Sequence, residues 1–274
     1  MKNTADISGG YVEHDFVSEY YDYILPYEED IGYYVDLAGR CGGEALELAA
    51  GTGRTVIPLA REGISVTGMD LSPQMLRLAG KKIEGEAAET RSRITLVRGD
   101  MRDFNLDRTY PLVTIPYSSF TYLTEIEDQL ACLSSVNRHL DPGGIFYMTV
   151  FNESVDALAD RTVFEEFDIT PEFTMDDGRR VRRTFRYVER DYTRQVEVKD
   201  SIFHVVYPDG RRERLVHRFS MRWFFSFELI HLLARAGLEV TGLFSDYRGT
   251  PHDATIKDGM IVVEAQKTEE PCPI

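Results

Sequence analysis

The chain has 274 residues, 43% of them hydrophobic, and a formal net charge of −15 at pH 7. This composition excludes a disordered chain, and the acidic balance disfavours nucleic acid as a substrate because phosphate backbones are repelled. The three cysteines have no paired spacing and no accompanying histidines, so the sequence predicts neither a disulfide framework nor a metal site. The first residues lack the apolar stretch of a signal peptide, and no run approaches membrane-spanning length, so we expect a soluble, cytoplasmic protein.

Hydrophobic periodicity predicts strands that alternate with helices over the first 151 residues. The predicted helices are 14–24, 28–39, 54–62, 73–89 and 125–140, and the predicted strands are 44–49, 64–69, 94–98, 111–116 and 145–151. Ser72 and Pro73 are typical of a helix start, and Asp141-Pro142-Gly143-Gly144 is typical of a helix end. This order predicts a Rossmann-like, mainly parallel α/β sheet with helices on both faces.

From about 162 to 220 the helical period gives way to partial apolar alternation, which predicts an inserted antiparallel β-meander. Turn signals divide the meander at 177–178, near 191–194 and at 208–210. A helix at 227–236 and strands at 239–245 and 259–267 follow. The predicted domains are an α/β domain (1–151 and 221–268), an inserted β subdomain (152–220) and a flexible tail (269–274).

The glycine loop in ALELAAGTGRTVIPL, residues 45–59, predicts a strand, a turn and a helix that together form a ligand site. Gly51 and Gly53 let the backbone approach a ligand closely, and the following helix directs unpaired N–H groups toward it. Asp70 ends the next strand, nineteen positions after Gly51, where ligands of open α/β sheets lie. A dinucleotide fingerprint has a glycine where this chain has Val56, which disfavours an NAD enzyme. A βα turn with no ligand remains the alternative.

Five segments in this order resemble class I S-adenosylmethionine-dependent methyltransferases. They are LELAAGTGR ending at 54, GMDLSPQML at 68–76, ITLVRGDMRDF at 94–104, LDPGGIFYMTVF at 140–151 and RAGLEVTGLFSDYRG at 235–249. They cover the α/β part but not the insert. The resemblance implies the class I methyltransferase fold, S-adenosylmethionine as the cofactor and S-adenosylhomocysteine as the product. The family usually has a glycine where this chain has Ala49.

The resemblance also implies the residues that hold the cofactor. Glu47 would hold the ammonium of the methionine part, directly or through water, and Asp70 would accept hydrogen bonds from the ribose hydroxyls. Asp100 would take the adenine amine. The other implied cofactor-binding residues contribute backbone or apolar contacts; they are Ala49, Gly51, Gly53, Leu71, Met75, Met101 and Tyr117. For Met75, plain helix packing is the alternative.

The segment Pro116–Leu123 is similar to the loop after the fourth strand in small-molecule N-methyltransferases, including sugar N,N-dimethyltransferases. Some of these have a histidine where this chain has Tyr122, so the resemblance implies that Tyr122 orients the methyl acceptor, with aromatic packing as the alternative. The amino-terminal stretch 16–23 also resembles those enzymes, which implies that Tyr21, in its Tyr-Asp pair, lines the cofactor pocket. His217 in the insert is the candidate base, with a half-buried strand residue as the alternative.

We therefore predict an enzyme that transfers a methyl group by in-line displacement to a nitrogen, or else an oxygen or carbon, of a small metabolite. The alternatives are a nucleic-acid or protein methyltransferase and a cofactor-binding module without catalysis. We predict a small-molecule partner, no nucleic acid and no membrane, and leave a homodimer open. Between Arg179 and Arg222 thirteen Lys or Arg accompany six Asp or Glu; they either recruit an anionic acceptor or pair with local acids.

Overall fold

A computed structural model describes residues 7–8, 15–25, 28–160, 162–253 and 259–268. The predicted tail at 269–274 lies outside them. The described chain divides into two compact units. The smaller unit combines the described residues of 1–26 with 156–222, and the larger unit combines 27–155 with 223–268. The amino-terminal helix therefore groups with the meander, whereas the predicted domain boundaries stay a prediction.

The elements are numbered in chain order within the described residues. The strands are β1 Ile7–Ser8, β2 Glu44–Leu48, β3 Ser65–Asp70, β4 Ile94–Arg98, β5 Tyr110–Ile115, β6 Leu140–Phe151, β7 Phe167–Asp168, β8 Phe173–Thr174, β9 Arg180–Asp191, β10 Val196–Val206, β11 Arg212–Arg222, β12 Leu238–Phe244 and β13 Met260–Lys267. The helices are α1 Asp15–Ile24, α2 Ile31–Arg40, α3 Val56–Arg61, α4 Pro73–Glu84, α5 Ala88–Ser92, α6 Ile126–His139, α7 Val155–Ala159 and α8 Ser226–Arg235.

The larger unit is built on a seven-stranded sheet with the order β12-β13-β6-β5-β2-β3-β4. The pairs from β6 to β4 are parallel, whereas β13 joins β6 antiparallel and β12 joins β13 antiparallel. Hydrophobic residues alternate between two cores, one beneath α6 and α8 and the other beneath α2 and α3. The predicted mainly parallel sheet with helices on both faces is confirmed.

Strand β2 shows how this alternation places a polar side chain at the edge of the sheet. Leu46 and Leu48 face the core beneath α6 and α8, and Ala45 faces the core beneath α2 and α3. Because side chains alternate along a strand, Glu47 lies on the same face as Ala45. It stands at the carboxyl end of β2, where the glycine loop begins.

Two predicted boundaries in the larger unit are wrong. The single helix predicted at 73–89 is two helices, because α4 ends at Glu84, Gly85 caps it and Ala87 takes an extended ψ of 148°. The strand predicted to begin at 145 begins at Leu140, which pairs with Tyr110 before a register irregularity. Among the described residues, no helix is long and apolar enough to cross a membrane.

The smaller unit is the predicted antiparallel meander, in which β10 lies between β9 and β11. Short strands extend it: β1 pairs in parallel with β11, and β7 and β8 pair with β9. Helix α1 packs on this sheet, because the Tyr20 ring stacks on Phe203 with centroids 5.1 Å apart and Ile24 joins the same cluster.

Charged side chains in the meander are paired locally. The buried carboxylate of Glu197 accepts from Arg190 Nε and contacts Lys199 Nζ, both at 2.7 Å, and Asp200 lies between Arg186 and Arg218. At least nine of the thirteen basic residues have a carboxylate within 4.0 Å; they are Arg179, Arg180, Arg182, Arg186, Arg190, Lys199, Arg211, Arg214 and Arg218. The structure therefore favours the interpretation of the basic insert as cross-strand pairing.

Substitution of Glu197 by Gln should destabilise the smaller unit, because it leaves Arg190 and Lys199 buried without their shared counter-charge. The side chains of Arg190 and Glu197 are 1% and 2% exposed, so we expect a loss of about 3 kcal/mol in the free energy of unfolding by urea titration. Glu189→Gln, at an exposed position of β9, is the matched control and should change stability little. Equal midpoints for the two variants would contradict a supporting role for this cluster.

Candidate active site

The loop between β2 and α3 curls back on itself at the carboxyl edge of the larger sheet. Ala49, Gly51 and Gly53 have φ values of 58°, 56° and 80°, a left-handed conformation that only glycine adopts without strain. The Ala50 N–H donates to the Met69 carbonyl at 2.9 Å, which ties the loop to the neighbouring strand β3. The predicted glycine turn is therefore present, and it brings backbone to the edge where β2 and β3 end.

Val56 stands where dinucleotide folds have a glycine, and the structure shows how it is accommodated. A Cβ on Gly68 of β3 would lie 3.0 Å from Val56 Cγ2 and 3.1 Å from the Cβ of Ala50. In this chain the small residue that permits close packing of α3 against the sheet is Gly68, on strand β3. Val56 argues against the dinucleotide fingerprint, but the tight packing itself is kept.

Asp70 ends β3 and its carboxylate organises the loop. Its Oδ2 accepts from the Gly51 N–H at 2.7 Å, and its Oδ1 accepts from the Ser72 N–H at 2.8 Å. Burial raises the pKa of Asp70, and the N–H groups of Ser72 and Gly51 oppose that rise. Each carboxylate oxygen has a second lone pair, so the group can also accept hydrogen bonds from a pair of ligand hydroxyls.

Glu47 is a buried carboxylate with an unused oxygen. The residue is 1% exposed, and its Oε2 has no hydrogen-bond partner within the described part of the chain. Burial raises the pKa of Glu47 to about 8; Arg54 opposes this, and Asp30 and Asp70 add to it. A buried polar atom without a partner costs free energy, so this oxygen is suited to receive a cationic ligand group.

The candidate residues that follow β3 and β4 in the chain differ in burial and in their contacts. Leu71 is 43% exposed at the edge, whereas Met75 is buried in α4 at 3%, which suits helix packing. Asp100 binds the Arg102 guanidinium at 2.6 Å, and these hydrogen bonds lower the pKa of Asp100. Met101 packs against the core beneath α6 and α8. The ion pair with Arg102 was not foreseen, although the Asp-x-Arg spacing could have indicated it.

The loop after β5 contains two successive left-handed residues. Tyr117 and Ser118 have φ values of 51° and 59°, which is costly for residues with a Cβ and is typical of functional sites. Tyr122 ends the 3₁₀ turn that follows, Ser119–Tyr122. The Tyr117 ring lies 5.3 Å from the guanidinium carbon of Arg54, a residue that the sequence analysis did not single out.

Tyr21 and His217 belong to the smaller unit, whereas the other candidate residues belong to the larger one. Tyr21 is partly buried on α1 beside the buried Tyr20. His217 is 1% exposed on β11, opposite Ser201, and its ring stacks on Phe219 with centroids 5.1 Å apart. Their predicted roles, in the cofactor pocket for Tyr21 and as a base for His217, stay predictions.

The known proteins similar to this chain are methyltransferases. A family described as "Methyltransferase domain" matches residues 45–144. The chain is 29% identical to a cypemycin N-terminal methyltransferase of Streptomyces sp over 82% of this chain and 84% of that protein. Residues 45–144 therefore match a methyltransferase domain, and the chain is similar to a known methyltransferase over most of its length.

Two further proteins similar to this chain are also methyltransferases. A dTDP-3-amino-3,4,6-trideoxy-alpha-D-glucopyranose N,N-dimethyltransferase of Streptomyces venezuelae is 30% identical over 56% of this chain and 58% of that protein. The CcbJ methyltransferase of Streptomyces caelestis superposes with a TM-score of 0.75 at 20% identity, over 92% of this chain and 96% of CcbJ. The latter likeness confirms the predicted class I methyltransferase fold. The glycopeptide N-methyltransferase MtfA, 27% identical to this chain over 89% of this chain and 96% of MtfA with a TM-score of 0.57, is known in complex with S-adenosylmethionine.

The stability of the cofactor-free protein should report the protonation of Glu47. The unfolded side chain, with its ordinary pKa of 4.5, is ionised above that pH, whereas the folded protein keeps the proton up to about pH 8. Between these values the folded state binds more protons, so its stability falls as the pH rises, by up to about 1.4 kcal/mol per pH unit.

We expect urea titrations between about pH 5 and pH 8 to show this decline in the wild type and a flatter profile in Glu47→Gln. Glu62→Gln, at an exposed position, should follow the wild type. Parallel profiles for the wild type and Glu47→Gln would show that Glu47 has an ordinary titration.

Proposed function

We propose that this methyltransferase transfers the methyl group of S-adenosylmethionine to an amine nitrogen of a small molecule. The observation that carries the cofactor site is the buried, unpartnered Oε2 of Glu47 beside the glycine loop. The nitrogen acceptor is supported by the two curated relatives above, named as an N-terminal methyltransferase and a sugar N,N-dimethyltransferase. The chain aligns with most of the first but with only part of the second.

The residues at the edge of the sheet suit the parts of this cofactor. Glu47 would bind its ammonium, because a buried carboxylate with a free oxygen complements a buried cation. Asp70 would accept from the two ribose hydroxyls on lone pairs that Gly51 and Ser72 leave unused. Ala49, Gly51 and Gly53 would bring backbone against the methionine part.

The adenine would lie beyond the ribose, toward β4. The exposed side chain of Leu71 would cover one face of the base, with Met75 as the proposed partner from α4. Asp100 would accept from the adenine amine while it keeps its pair with Arg102, and the Met101 N–H would donate to the ring. Tyr117 would border the same site from the strained loop.

Bound S-adenosylmethionine supplies a methyl group that its sulfonium already activates for displacement. Transfer to an amine would form a C–N bond, break the C–S bond with its electrons left on sulfur, and leave a proton to be lost from the nitrogen. Protein residues therefore need to align the acceptor, exclude water and receive that proton. We assign Tyr122 to orientation of the acceptor, because a phenol with pKa near 10 is a poor base. Tyr21 and His217 belong to the smaller unit and keep their sequence-based predictions, as a residue of the cofactor pocket and as a base.

A nucleic-acid methyltransferase is the less favoured function. Base-modifying members of the family often carry Asn/Asp-Pro-Pro-Tyr/Phe after the fourth strand, and this chain has Ile115-Pro116-Tyr117-Ser118. The net charge of −15 also opposes a phosphate backbone. A cofactor-binding module without catalysis differs from the proposed enzyme in one measurable respect, which is the absence of turnover.

Asp70→Ala and Glu47→Gln should each weaken the binding of S-adenosylmethionine at least about tenfold, because each removes a charge-assisted hydrogen bond in a shielded site. Isothermal titration calorimetry measures the dissociation constants directly. Asp36→Ala, an exposed acid on α2, is the matched control and should bind like the wild type. An unchanged constant for Asp70→Ala would refute the ribose assignment.

Turnover with a panel of small acceptors should favour amines. We expect formation of S-adenosylhomocysteine and a product heavier by one CH₂ with an aminosugar or a peptide amino terminus, and at least about tenfold less product with hydroxyl analogues. Mass spectrometry of the product identifies the methylated atom, and Asp70→Ala is the control for background. Methylation of oxygen alone would overturn the nitrogen assignment, and binding of the cofactor without any turnover across the panel would favour the non-catalytic module.

A further inference from the structure

Arg54, the last residue of the GTGR motif, forms a bidentate ion pair with Asp30 in the interior of the larger unit. Its Nη1 and Nη2 donate to Oδ1 and Oδ2 of Asp30 at 2.8 and 2.6 Å. The Asp30 side chain is fully buried and that of Arg54 is 14% exposed. Because both hydrogen bonds of the fork are made away from water, the guanidinium is fixed in position and orientation.

This guanidinium connects three segments around the carboxyl end of β2. Arg54 itself lies in the glycine loop, Asp30 directly precedes α2, and the Tyr117 ring, in the strained loop after β5, lies 5.3 Å from the guanidinium carbon. Strand β5 is the parallel neighbour of β2. Arg54 is therefore placed to keep the edge of the site in a single arrangement.

The same pair determines the charge around Glu47. Apart from burial, the groups that act on Glu47 are Arg54, which favours its ionised form, and Asp30 and Asp70, which disfavour it. Tyr34 also lies near, but burial raises its pKa well above the ordinary value, so it stays neutral. Arg54 is the cation among these groups, and its two acidic neighbours act in the opposite direction.

We infer that Arg54 is a positioning residue for cofactor binding, which joins the three segments at the edge and supplies the positive charge that keeps Glu47 able to receive an ammonium group. Asp30 holds Arg54 in place and at the same time moderates its effect on Glu47. This inference rests on the proposed role of Glu47 toward S-adenosylmethionine.

Arg54 and Asp30 have opposite effects on the pH dependence of cofactor affinity. An ammonium binds the ionised carboxylate, so affinity increases with pH until Glu47 has lost its proton. Removal of Arg54 should move the midpoint of this increase to higher pH, and removal of the Asp30 charge should move it to lower pH. A residue with a purely structural role would weaken binding equally at every pH.

Calorimetric titration with S-adenosylmethionine over a pH series tests this in five proteins. They are the wild type, Arg54→Gln, Arg54→Lys, Asp30→Asn and the double variant that combines Arg54→Gln with Asp30→Asn. We expect Arg54→Gln to raise the midpoint by about one pH unit and to weaken binding about tenfold near neutral pH. Arg54→Lys should keep a midpoint near that of the wild type, because the charge is retained. Asp30→Asn should lower the midpoint, and the double variant should return toward the wild type. The titration of the cofactor's own amine is common to all five proteins and does not affect their differences.

An unshifted midpoint in Arg54→Gln, with weaker binding at every pH, would overturn the electrostatic role while the proposed function survives. If Arg54→Gln does not fold, Asp30→Asn decides, and an equal or higher midpoint there would overturn the inference. A wild type that binds no S-adenosylmethionine would instead refute the proposed role of Glu47. Release of protons on binding, measured in two buffers of different ionisation enthalpy, gives a second readout that should be lost in Glu47→Gln.

Discussion

A carboxylate buried at the carboxyl end of β2 needs a compensating charge, and much of the edge of the larger sheet is arranged around that need. Glu47 is directed to the interior by strand alternation, because Leu46 and Leu48 occupy the opposite face. Burial raises its pKa to about 8, and Arg54 is the cation that opposes this rise. Arg54 is in turn held by Asp30, whose own burial requires the pair.

The second constraint on this edge is the backbone conformation of its loops. Five residues at the ends of β2 and β5 have positive φ, and three of them carry a Cβ; they are Ala49, Gly51, Gly53, Tyr117 and Ser118. The three residues that carry a Cβ cost free energy in this conformation, so the surrounding contacts must maintain them. The hydrogen bond from Gly51 to Asp70 is one of these contacts. Binding groups and strained backbone thus coincide at one end of the sheet.

The sequence was sufficient to predict the alternating elements, the meander and the residues of the glycine loop, because these depend on hydrophobic period and turn chemistry within short windows. It was insufficient for contacts between distant segments. The pairing of Arg54 with Asp30 joins residues 24 apart on a loop and a helix start, and nothing in their local patterns connects them. The break between α4 and α5 was missed for a different reason, which is that apolar spacing continues past Gly85.

Buried charge alone does not distinguish a binding group from a structural one in this protein. Glu197 and Asp200 in the meander are as buried as Glu47, and each has two basic partners. Their hydrogen-bonding capacity is used within the sheet, so they have little left for a ligand. Glu47 differs in that Oε2 is unpartnered within the described residues, while Arg54, the cation that acts on it, is engaged by Asp30. A buried carboxylate with an unpartnered oxygen, beside an arginine that already pairs with an aspartate, leaves a site suited to a cationic group such as the ammonium of S-adenosylmethionine.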